Sequence, residues 1–243
     1  QIDQHAPHFW EAIDGAVGRY LGNLDKRLGV ISAQTAISTA AEISSIQIDI
    51  DVEEISSDRY VQNKRPPKTR LVNIKEEVLN NKVSLIEAQM GFGKSHLARR
   101  IAIHFADSTL FKQTEVLPVY STFKTYVDAN LTLEDFIKSQ AGNVCLNGLN
   151  SNGGRVLIIL DGIDEALAEH ESCKTKVDQL VAQVKAQNNW ILVLTSRPWK
   201  ALEDLATKEI GIKRYRIRPL SIGKIVSYLR LVFEPLKIPN RLV

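Results

Sequence analysis

The chain carries little net charge. Across 243 residues, 31 lysines and arginines face 28 aspartates and glutamates, leaving a formal +3. That balance lacks the broad electrostatic footprint of a nucleic-acid binder or of a protein held on anionic lipid. Cysteine is scarce as well. Cys145 and Cys173 are the only two. They have no metal-type spacing and make no disulfide framework, which suits a reducing, cytoplasmic setting. Long apolar runs are also missing. The longest, such as residues 156–160, fall far short of the roughly 20 residues a membrane-spanning helix needs. No basic stretch followed by an apolar one opens the chain, so no secretory signal is expected. The first residue is Gln1, and the natural start is expected to lie upstream. What remains is ordinary for a globular protein: 44% hydrophobic and 24% charged residues, in a length that suits one large domain or a domain with an appendage.

Against this background one stretch stands out, EAQMGFGKS at 87–95. An apolar run, VSLI at 83–86, precedes it, and a helical pattern, HLARRIAIHF at 96–105, follows. Strand, glycine-rich turn and helix in that order make a phosphate-binding loop. Gly93, Lys94 and Ser95 satisfy the end of the pattern G-x-x-x-x-G-K-[ST], while Ala88 stands where its first glycine would be. Gly91 and Gly93 allow the backbone to turn its N–H groups inward, since glycine reaches positive φ without a Cβ clash. Those groups and the helix N-terminus would hold a β-phosphate. Lys94 would reach the β- and γ-phosphates, and the Ser95 hydroxyl would sit on Mg²⁺. Phe92 and His96 belong to the same nucleotide-contacting stretch.

The second chemical stretch is RVLIILDGIDEA at 155–166. An unbroken run of Val, Leu and Ile ending in acids predicts a strand buried on both faces. In open parallel sheets ligands bind at the carboxyl edge, so Asp161 is expected to hold Mg²⁺ opposite Ser95. Asp164 and Glu165 follow, and either can polarise an attacking water. Gly162 is expected to leave room beside the γ-phosphate. A further buried strand, WILVL at 190–194, runs into Thr195, Ser196, Arg197 and Pro198. The proline keeps Arg197 extended, which places its guanidinium where a γ-phosphate could be sensed.

Elsewhere the pattern is structural. Apolar residues spaced three and four apart from Phe9 to Leu28 predict an amphipathic helix that packs on the core. IQIDIDV at 46–52 alternates as a half-buried strand, with Asp49 and Asp51 on a solvated face. DRYVQNKRPPKTR at 58–70 reads as a polar linker. VLPVY at 116–120 reads as a strand that Pro118 confines to an edge. Thr132 and Asp135 form a capping box. Helices are expected over 174–186 and from Ser221 through Phe233, with a last strand at RYRIRPL, 214–220. The fold class is therefore α/β: a parallel sheet flanked by helices, in the manner of a P-loop NTPase, with an N-terminal helical segment. Residues 1–45 form that segment and 46–82 a strand and linker. Residues 83–220 form the nucleotide-binding domain, and 221–243 open a second helical domain. An Asn-Lys-x-Asp guanine reader is missing after the acid strand, which argues against a GTPase. No second substrate pocket or basic lid suggests a kinase, and no basic stripe suggests a DNA-linked motor.

Taken in order, QMGFGKS, LPVYSTFKTYVDANLTLEDFI, LIILDGIDEA and LVLTSRP resemble the NACHT domain of the STAND class of P-loop NTPases, over roughly residues 55–234. The resemblance implies an AAA+-like fold and a slow ATP hydrolase. It implies a switch protein of innate immunity, of the kind found in animal inflammasome sensors and bacterial antiphage sensors. Such proteins hold ADP when off, exchange it for ATP when triggered, and self-associate. By the same likeness Asp161 is the Mg²⁺ acid, Asp164 and Glu165 the water-activating pair, and Arg197 the first sensor. The segment around Tyr60 and Val61 resembles the stretch that packs near adenine. The winged-helix domain, sensor repeats and effector that usually accompany this domain are not expected within these residues.

Overall fold

The computed structural model describes residues 15–28, 50–55, 69–142, 149, 153–167, 173–199, 202 and 212–233. Its centre is a seven-stranded sheet. The strands are β1 (Val52–Ile55), β2 (Thr69–Val72), β3 (Val83–Glu87), β4 (Val116–Thr122), β5 (Arg155–Asp161), β6 (Trp190–Ser196) and β7 (Ile212–Ile217), in the order β2-β1-β7-β3-β6-β5-β4. The five strands from β7 to β4 are mutually parallel. β1 pairs antiparallel with both β2 and β7 and extends the sheet beyond the parallel part.

The central strands are rich in Val, Leu and Ile because both faces are covered, with polar residues mainly at their ends. Every residue of β3 and β6 is buried, as is every residue of β5 after Arg155. The helix Lys94–Phe105 packs across β4, β5 and β6, and the helices Ile163–Leu167 and Cys173–Ala186 pack on β6. Ile158 lies in the middle of β5 at 0% exposure. Ile158→Ala would leave a cavity walled by rigid strands, so a loss of about 2–5 kcal/mol is expected. Denaturant unfolding of the two proteins measures it, and a loss below about 1 kcal/mol would mean the site collapses around the smaller residue.

Pro118 sits on an outer strand, as its missing N–H requires: β4 pairs only with β5. Its other side is covered by the helix at 15–28. Tyr20 donates its hydroxyl proton to the Pro118 carbonyl at 2.9 Å, and Arg27 reaches the Tyr120 carbonyl at 3.4 Å. Val17, Leu21, Leu24 and Leu28 are buried and form one stripe of the common core. Each contributes on the order of 1.5–3 kcal/mol of transfer free energy.

Three local expectations need adjustment. Of the alternating stretch at 46–52, residues 46–49 lie outside the described residues, Ile50 and Asp51 precede the strand, and Val52 opens β1, with the Arg218 N–H pairing with the Asp51 carbonyl. Asp51 is half-buried and bonded to Lys224 at 2.8 Å, so it does not belong to a free solvated face. At the end of the stretch read as a linker, Thr69 and Arg70 open β2, and the helix Ile74–Asn80 follows, capped by the Asn73 side chain. Elements of four and seven residues are too short to show a period. The Thr132 N-cap is present: its hydroxyl accepts from the Asp135 N–H at 3.1 Å and donates to the Asp135 carboxylate at 2.7 Å.

Candidate functional site: a phosphate loop facing an acidic strand end

Because β3, β5 and β6 run parallel, Glu87, Asp161 and Ser196 end at one edge of the sheet. The loop 88–93 leaves that edge from β3 and enters the helix Lys94–Phe105. Gly91 and Gly93 have φ of +80° and +84°. A Cβ at Gly93 would also lie 3.3 Å from Ile50 Cδ1, so both backbone and space call for glycine there. Ala88 is buried and its φ is not positive, so a methyl group in place of the motif's leading glycine costs nothing in strain. Its N–H bonds the Ser196 carbonyl at 3.2 Å, anchoring the loop to β6.

The helix that follows is the unusual one. Asn73, Asp107, Thr122 and Thr132 each cap a helix with a side-chain oxygen. The helix Lys94–Phe105 begins at Gly93 with no side-chain cap and no acid in its first turn. Its leading N–H groups and the positive end of its dipole are therefore left for an external anion. Lys94 folds back over the loop and donates to the Ala88 carbonyl at 3.2 Å. Ser95 lies in the same first turn. Met90 and Phe92 project outward at the loop's crown, 75% and 39% exposed. His96 is half-buried, and that burial, then the charges of Arg100 and Arg99, lower its pKa below the usual imidazole range.

On the acid side, Asp161 is 6% exposed. Its two oxygens accept from two hydroxyls, Thr195 on β6 and Tyr120 on β4, the latter at 3.4 Å. Burial, followed by the nearby Asp161 charge, pushes the Tyr120 hydroxyl up to about 12, so it stays a proton donor at neutral pH. Thr195 also accepts from the Gly162 N–H at 2.9 Å. Gly162 has φ of +79° and lies against the Glu165 side chain, where a Cβ would come 3.2 Å from the carboxyl group. The glycine is thus required by the turn itself. Asp164 is occupied: Arg197 holds it with Nε at 2.8 Å and with its backbone N–H at 3.1 Å. Glu165 is exposed.

β6 therefore stands between the loop strand and the acid strand and touches both. Thr195 and Tyr120 were not singled out from sequence. The available signal was a hydroxyl at the site end of an otherwise apolar strand. Beside the loop helix opens a cleft of about 430 Å³, walled by Ile50, Val72, Ile74, Leu97 and Ile101, with Asp51, Arg100 and Lys224 on its polar side. Tyr60 and Val61 lie outside the described residues.

A Mg²⁺ ion fits these groups. Among the described residues no three His, Cys, Asp or Glu side chains converge on a metal cage. Magnesium asks for less: one or two protein oxygens, with waters and phosphate oxygens completing its octahedron. A buried carboxylate that two hydroxyls engage, at the same edge as the Ser95 turn, matches that donor set.

These features are those of a P-loop nucleoside triphosphatase with the acid strand set one strand away from the loop strand. The family model of the NACHT domain matches residues 82–235, more than half of the chain, and the chain belongs to that family. NACHT domains are the nucleotide-binding P-loop domains of STAND-class NTPases. No curated protein matches. Among solved structures, PCH-2 of C. elegans is similar at a TM-score of 0.41 and 18% identity, covering 71% of this chain and 46% of its own. The HORMA:CdnC:Trip13 complex of E. coli MS115-1 is similar at 0.42 and 15%, covering 91% and 69%. This chain thus spans less than half of the first. No helix among the described residues is long and apolar enough to cross a membrane.

Proposed function

We propose that the protein binds ATP and ADP with Mg²⁺, hydrolyses ATP slowly, and forms the nucleotide-binding core of a defence-signalling switch that self-associates in its full-length form. The observation that carries this reading is the uncapped glycine turn at Gly93, opening at the same sheet edge as the buried Asp161. In this reading the N–H groups of the first turn and Lys94 take the β- and γ-phosphates. Ser95 and Asp161 would hold Mg²⁺, which would supply positive charge beside the phosphates. Glu165 orients and deprotonates the attacking water. Arg197 senses the γ-phosphate, and its pairing with Asp164 gives it a second place to sit when that phosphate is absent. The apolar cleft beside Leu97 takes the base. The switch and its immune setting rest on the family resemblance.

Calorimetric titration with ATP, ADP and GTP, joined to phosphate release and light scattering, tests the reading. Binding of both adenine nucleotides by a monomer is expected, with turnover below about one per minute, as in switch NTPases that lack a supplied arginine. A stable ATP-dependent ring of this chain alone, or many turnovers per second, would instead favour a self-sufficient ATPase, such as a kinase or a DNA-linked enzyme.

A further inference from the structure

Thr195 is wholly buried at the site end of β6. A threonine hydroxyl has one proton to give and two lone pairs. Here one lone pair is taken by the Gly162 N–H at 2.9 Å, and the proton goes to Asp161 Oδ1. Tyr120 reaches the other carboxylate oxygen from the opposite neighbouring strand. Asp161 is thus gripped from both sides, but the two grips differ. The Tyr120 contact is long, at 3.4 Å, and its hydroxyl is shared with Arg99, with no bond to the turn after β5. Thr195 binds both the carboxylate and the first backbone N–H of the turn that carries Asp164 and Glu165. The register explains why it can: Leu160 lies opposite Leu194, so Asp161 falls beside Thr195 on the same face of the sheet.

We infer that Thr195 is a positioning residue for Asp161, orienting its carboxylate toward Mg²⁺ and fixing the turn that presents Glu165. The inference rests on Asp161 being the magnesium acid. It separates a hydroxyl that aims a ligand from one that merely satisfies the core. Groups that orient a metal ligand typically carry about 10–100-fold in metal affinity. A packing group would instead move all nucleotide binding together.

The test is a Mg²⁺ titration of the protein with a fluorescent ADP, run beside ADP binding in excess chelator. Thr195→Val keeps the shape and removes the hydroxyl. It is expected to weaken the apparent Mg²⁺ affinity about tenfold or more, while binding of ADP without metal changes less than about twofold. Thr195→Ser restores the hydroxyl and should return Mg²⁺ affinity to near wild type. Tyr120→Phe, which removes the longer bond, should weaken it less than Thr195→Val does. If valine does not fold, Thr195→Cys, with a poorer donor in similar volume, must show the same metal-selective loss. Unchanged Mg²⁺ affinity in Thr195→Val or Thr195→Cys overturns the inference, and so does an equal loss with and without Mg²⁺. A wild-type protein that binds no nucleotide is a separate result that overturns the site assignment itself.

Discussion

Glu165→Gln is expected to keep ATP bound and to slow phosphate release by about a hundredfold or more, the usual worth of a positioned general base. The substitution preserves size and hydrogen-bonding shape and removes only the group that can accept a proton from water. Glu165 suits this role better than Asp164 because it is exposed at the site, whereas Asp164 is already held by Arg197 through two contacts. Asp164→Asn should slow release as well, by loosening Arg197 and leaving the base in place. Nucleotide titration with single-turnover phosphate release separates binding from chemistry. Unchanged release rates in both variants would remove the catalytic assignment.

Lys94→Ala is expected to lower ATP and ADP affinity at least about tenfold, or some 1.4 kcal/mol. The lysine is the one side chain of the loop able to place a full positive charge on the phosphates, and charge-assisted bonds to phosphate are among the strongest available. ATP should suffer more than ADP, because the γ-phosphate adds a second charge to the same contact. The fold should survive. Lys94 is half-buried and holds only a loop carbonyl, so its removal opens no cavity. Unchanged circular dichroism with weakened titration isotherms is the expected pair of results. Unaltered affinity would mean that the phosphates do not sit on this loop.

Much of this could be read from residues because the physics was local. A strand of Val, Leu and Ile must be covered on both faces, and β3, β5 and β6 are. A proline in a strand must face away from a partner, and Pro118 does. Glycines placed for positive φ at 91 and 93 have it. What escaped depends on contacts far apart in sequence. No period announces that Thr195 will meet Asp161, 34 residues earlier, since that follows only once β5 and β6 are neighbours. β2 and most of β1 escaped for a different reason: four-residue strands carry too little pattern, and the strand expected at 46–52 meets β1 only at Val52. The ion pair between Asp164 and Arg197 joins two motif residues that were read separately, and it changes their division of labour.

The helix over 15–28 has a practical consequence. The family match begins at residue 82, so a fragment cut there would seem complete by sequence. It would have lost β1, β2 and the cover from the outer side of β4, leaving β7 without a partner strand on its outer side, the carbonyls of Pro118 and Tyr120 without their Tyr20 and Arg27 donors, and the core without the stripe of Val17, Leu21, Leu24 and Leu28. An open strand edge beside exposed apolar surface is a template for another chain. Such a fragment would invite edge-to-edge aggregation, and apparent oligomers seen with it would report the missing cover, with no bearing on nucleotide-driven assembly.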